Sequence, residues 1–113
     1  MTDYASVLDQ LRAAGVGAEP GEDVDQPFLA VKGNMMRVRG EDVQVFQYAD
    51  AAATDAQAAL ISPDGATIGT AKLQWIGPPH FYKQGNLLVL YVGDDPQVLQ
   101  ALESVLGRQF AGR

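Results

Sequence analysis

Nine consecutive residues, Trp75-Ile76-Gly77-Pro78-Pro79-His80-Phe81-Tyr82-Lys83, hold the side chains best suited to chemistry. They include the only tryptophan and the only histidine of the chain, two further aromatics and a lysine, set around a rigid Pro-Pro. His80 is the one imidazole available as a general acid or base, and Tyr82 or Lys83 beside it would complete a small proton-transfer site. Aromatics next to one titratable ring and one cation equally suit a small-molecule pocket or a protein-binding patch. Trp75, His80, Phe81, Tyr82 and Lys83 are therefore the candidate ligand- or partner-binding residues. The plainer reading puts Trp75 and Phe81 in the core and has His80 hydrogen-bonding across a tight loop.

Other chemistries are excluded more firmly. Zero cysteines remove disulfides, thiolate metal sites and thiol nucleophiles. No GxGxxG or Walker pattern leads a strand into a helix. Gly93-Asp94-Asp95-Pro96 does join such elements, but two aspartates at a helix start repel the phosphate such a site attracts, and they read as caps. Glu19, Glu22, Asp23 and Asp25 around Gly21 resemble a calcium loop only loosely and fit a solvated acidic connection. None of Ser6, Ser62 and Ser104 sits in a nucleophile elbow. No catalytic residue, metal ligand or cofactor is assigned.

At 113 residues, with 47% hydrophobic and 19% charged residues, the chain is sized for one domain spanning 1–113 with a real core. A net charge of −6 without a dense basic cluster argues against nucleic acid as a partner. Residues 1–31 carry six acids and one base, whereas residues 65–93 carry no acid at all, which suggests buried strands there. No apolar run reaches membrane-spanning length, so no transmembrane segment is expected. The start, Met1-Thr2-Asp3-Tyr4, has neither a basic nor an apolar signal region. The location read from it is the cytoplasm as given, or the cell envelope if a signal was removed.

The elements that must position these residues follow from periodicity. Tyr4, Val7, Leu8 and Leu11 share one helical face, with Gly15 placed to end the helix. Val16 to Glu19 reads as a short strand, and Pro20 to Asp25 as an acidic, turn-rich connection. Pro27 to Val31 reads as an edge strand, and a free edge near Phe28 would permit pairing between chains, so the chain is expected as a monomer or weak homo-oligomer. Met35 to Arg39 and Asp42 to Tyr48 form a hairpin around Gly40-Glu41. In the second of these strands both faces are partly apolar, which places it inside a sheet. Asp50 caps an alanine-rich helix from Ala51 to Ile61, which Ser62-Pro63-Asp64-Gly65 stops. A strand from Lys72 to Ile76 leads to a loop, Gly77-Pro78-Pro79-His80, and a turn near Gln84-Gly85-Asn86 enters the very apolar strand Leu87 to Val92. Asp95, Pro96, the stripe Val98-Leu99-Leu102-Val105-Leu106 and Gly107 mark a final helix. The fold class is α+β: two layers, a mainly antiparallel sheet of about five to six strands, and helices on one face.

Several phrases resemble a small family of bacterial proteins, many of them lipoprotein-like. They are residues 40–48 (Gly40 to Tyr48), Ile61-Ser62-Pro63-Asp64-Gly65, Pro79-His80-Phe81-Tyr82-Lys83, residues 88–95 (Leu88 to Asp95) and residues 106–112 (Leu106 to Gly112). The resemblance implies a bacterial origin and an envelope setting, brings no activity with it and assigns no site residue. The function expected is a non-enzymatic binding or interaction domain, its partner a protein or a small molecule. The alternative is a ligand-sensing domain or small enzyme that uses His80 in the aromatic segment 75–83.

Overall fold

The computed structural model describes residues 4–24, 33–65, 67–68, 71–72 and 79–112. Among the described residues, three helices, α1 (Tyr4–Ala13), α2 (Ala51–Ala58) and α3 (Pro96–Leu106), accompany a six-stranded antiparallel sheet. In space the sheet runs β1 (Glu19–Val24), β2 (Gly33–Val38), β3 (Glu41–Gln47), β7 (Leu87–Val92), β6 (Pro79–Gln84) and β8 (Ala111–Gly112). A separate two-stranded ribbon pairs β4 (Thr67–Ile68) with β5 (Ala71–Lys72). The antiparallel α+β architecture is the one expected.

The apolar pattern of β3 and β7 explains the layering. Val43 and Val45 join Met36, Val38, Val89 and Tyr91 on one sheet face, under Val7, Leu8 and Leu11 of α1 and Val98, Leu102 and Leu106 of α3. Phe46, Phe81, Leu88 and Leu90 line the reverse face, where they meet Ala58 of α2 and the bridged pair Ile61 and Ile68. Thus α1 and α3 supply the expected helical cover of one face, and the short α2 shields part of the other. Alanines let α2 lie close, and Gly33 leaves room for its cross-strand partner: a Cβ there would come within 2.6 Å of the Phe46 ring.

Helix ends follow the sequence signals. Asp50 caps α2 through the Ala53 amide at 2.8 Å, and Asp95 caps α3 through the Gln97 amide at 2.9 Å, ahead of Pro96. Arg39 reaches the exposed Asp95 carboxylate at 3.4 Å. The Gln97 amide first, and then Arg39, hold Asp95 below the usual aspartate range. α2 itself stops at Ala58, short of Ile61.

Three expectations shift. Glu19–Val24 is a strand rather than a turn-rich connection, paired with β2 through a bulge between Pro20 and Asp23. An edge strand tolerates Pro20, and Gly21 admits the close Met35 carbonyl, while the exposed acids discourage further pairing. The hairpin turn is Arg39-Gly40, both at positive φ (55° and 79°), so Glu41 already belongs to β3. Two consecutive positive φ values are what a two-residue primed turn requires. Pro79 and His80 are not in a loop but open β6, opposite Val92 and Tyr91. Proline suits a first strand position. Of the strand expected from Lys72 to Ile76, only Lys72 lies within a described strand; residues 73–78, and the edge strand expected from Pro27 to Val31, fall outside the described residues. Among the described residues no helix is long and apolar enough to cross a membrane.

Candidate functional site

A β-strand sends successive side chains to opposite faces, and β6 divides the candidate cluster accordingly. His80 and Tyr82 point toward α3, while Phe81 and Lys83 point toward α2. Trp75 lies outside the described residues. Phe81 is fully buried, pairs across strands with Leu90 and packs its ring against Phe110 at 6.3 Å. It is core. Lys83 reaches Asp55 of α2 at 2.9 Å with its ammonium 5.8 Å above the Phe110 ring, a half-exposed pair of modest worth.

On the other face the structure builds a cleft of about 420 Å³ between β6, α3 and the chain that follows α3. Its lining is His80, Tyr82, Leu99, Glu103, Arg108 and Gln109. Leu99 and Glu103 stand one helical turn apart and so share a face of α3. Gly107, at φ 86°, ends the helix and turns the chain back over β6. The Phe110 amide then donates to the Phe81 carbonyl at 2.9 Å, and Ala111 and Gly112 pair with Phe81 and His80. This return sets Arg108 and Gln109 opposite Glu103.

His80 is 4% exposed and stacks on Tyr91 with centroids 6.0 Å apart. Its Nε2 lies 2.9 Å from the Gly93 carbonyl and its Nδ1 lies 2.6 Å from Gln109 Oε1. A carbonyl only accepts, so Nε2 carries a proton and donates to it. The Gln109 amide can serve the second nitrogen in either charge state, accepting through Oε1 or, turned over, donating through its NH2. Both nitrogens are thereby engaged, and the ring braces β6 against the start and end of α3.

Tyr82 differs. It is 2% exposed, lines the same cleft, and its hydroxyl has no hydrogen-bond partner among the described residues. Burial, and then the Glu103 carboxylate facing it, pushes its pKa up to about 12. Burial alone pushes Tyr48 up to about 12 as well; its hydroxyl donates to Gln57 Oε1 at 3.2 Å. For both, the fold favours the protonated phenol, so stability is unchanged below pH ~10 and falls as the pH rises toward ~12. Each should contribute about 1.4 kcal/mol per pH unit across that window. Alkaline unfolding followed by circular dichroism should therefore be steep there, and less steep by one proton in Tyr48→Phe or Tyr82→Phe. An unchanged slope in either variant would contradict the burial argument.

The cleft unites a free phenol, a carboxylate and a guanidinium over aromatic and aliphatic walls, an arrangement suited to holding a ligand. Among the described residues no three metal-ligating side chains converge. Of the sequence candidates, it brings together His80 and Tyr82 and leaves out Phe81 and Lys83. Leu99, Glu103, Arg108 and Gln109 were not anticipated. The one signal for them was the Leu99-to-Glu103 spacing on a strongly marked helix; nothing local foretells that the chain after Gly107 returns to β6.

The class defined here is an open-sheet antiparallel α+β domain with a lateral cleft between its outer strands and its last helix. No family model, curated protein or solved structure matches the chain.

Proposed function

We propose that the chain is a non-enzymatic binding domain whose ligand seats in the cleft between β6 and α3. The observation that carries this reading is the commitment of the only imidazole. His80 lines the cleft, but its two nitrogens are bonded to Gly93 and Gln109, leaving no free lone pair to take a proton from a substrate. The volume of about 420 Å³ falls within the roughly 300–1,000 Å³ of small-molecule sites, and the walls mix apolar with polar groups as such sites do. A second hollow beside α2, lined by Tyr48, Ala53, Ala56, Gln57 and Leu60, offers less, because the Tyr48 hydroxyl already has Gln57 as partner. The resemblance of residues 40–48 and 79–83 to bacterial lipoprotein-like proteins supports a bacterial setting at the cell envelope and adds no chemistry.

A thermal-shift screen of common metabolites on wild type and on Leu99→Trp, which fills the cleft from α3, tests the reading. A compound present at a hundred times its Kd should stabilise wild type by about 2.7 kcal/mol and leave Leu99→Trp unmoved. Turnover of any compound that disappears in folded His80→Gln would overturn it.

A further inference from the structure

We infer that the cleft takes a small primary ammonium compound with a short apolar chain, an α-amino acid being the form that engages both charges at its rim. This rests on the binding reading above and adds the ligand's chemistry. The starting point is the Tyr82 hydroxyl, which tips an otherwise buried side chain, has no hydrogen-bond partner among the described residues and is set in the lining of the cleft. A hydroxyl at a cleft wall with no protein partner keeps its lone pairs and its proton for a ligand atom placed against it.

The sign of that ligand group follows from its neighbour. Glu103 is the charge that faces the hydroxyl. A ligand carboxylate brought there would lose water beside a fixed negative charge, whereas an ammonium would donate at once to Tyr82 Oη and to the Glu103 carboxylate. The other charged or titratable groups of the cleft do not oppose this. His80 is sealed between Gly93 and Gln109. Arg108 approaches Glu103 only to 4.0 Å and is 92% exposed, a contact worth little and easily given up. Once displaced by an ammonium, the Arg108 guanidinium is placed to take a carboxylate on the same small molecule. Leu99 and the Tyr82 ring border the space left for an aliphatic chain. The domain's net charge of −6 favours the approach of cations as well.

The test is an amide chemical-shift titration of the full chain with n-butylammonium, L-leucine and butyrate, on wild type, Glu103→Gln and Tyr82→Phe. Glu103 is exposed, so its isosteric amide leaves the fold intact. In wild type, n-butylammonium and L-leucine should shift Leu99, Glu103 and Gln109 saturably, with L-leucine the tighter, and butyrate should not. Glu103→Gln should weaken both by about ten-fold or more, as expected for a lost charge-assisted hydrogen bond. Tyr82→Phe should weaken them several-fold. Butyrate binding as well as n-butylammonium, or an affinity unchanged by Glu103→Gln, would overturn the ammonium assignment while leaving the cleft a binding site. Absence of saturable shifts with all three probes would also overturn it; the binding reading would then stand or fall on the Leu99→Trp screen.

Discussion

Phe81→Ala is expected to lower the unfolding free energy by about 3–5 kcal/mol in urea titrations, a large share of the roughly 5–15 kcal/mol that holds a domain together. The side chain is fully buried on the α2 face of the sheet, opposite Leu90 and against Phe110. Gly65, at φ 73°, brings its backbone so near that a Cβ there would sit 3.1 Å from the Phe81 ring. Removing the ring leaves a void bounded by the central strand and the turn after α2, neither of which can collapse easily. Phe81→Leu, which keeps most of the volume, should cost much less. A loss below about 0.5 kcal/mol in Phe81→Ala, the usual size for a surface site, would contradict its place in the core.

His80→Ala should destabilise by about 2–4 kcal/mol, from three sources. The buried ring and its stacking on Tyr91 are lost, the Gly93 carbonyl loses its imidazole donor, and the contact of Nδ1 with Gln109 Oε1 is removed. The melting temperature of a domain of this size should then fall by roughly 10–15 °C. Folded His80→Ala should still bind any cleft ligand recognised through Tyr82 and Glu103, with affinity altered less than by Glu103→Gln. A stable His80→Ala variant that has lost binding completely would mean the imidazole is itself the recognition element.

These two variants concern neighbours in sequence that serve opposite faces, and the reason was legible only in part. Where a periodic stripe and its end signals coincide, as at Tyr4 to Gly15 and at Asp95 to Gly107, the sequence pattern locates the helices closely. Apolar residues on both sides of Asp42 to Tyr48 correctly place that strand inside the sheet. Glu19–Val24 reads as a turn because Pro20, Gly21 and acids are turn residues; it is a strand because Gly21 and the bulge let an otherwise unsuitable edge lie against Met35. Pro78-Pro79-His80 reads as a loop for the same local reason. What makes Pro79–Gln84 a strand is pairing with the adjacent β7 and with the far end of the chain, Ala111–Gly112. Had the strand been recognised, period-two alternation alone would have separated His80 and Tyr82 from Phe81 and Lys83. The opposing wall was beyond local reading, because Arg108 and Gln109 reach the cleft only through the reversal at Gly107 and that distant pairing.

The central claim is that the sole imidazole supports the fold while the cleft beside it recognises a ligand without reacting with it. The most direct measurement is the ¹H–¹⁵N correlation of the His80 ring by NMR. The Nε2 proton should be observable, slow to exchange with solvent, and coupled through its hydrogen bond to the Gly93 carbonyl. A ring protonated only on Nδ1, with a solvent-facing lone pair on Nε2, would contradict that claim and return His80 to the role of a general base.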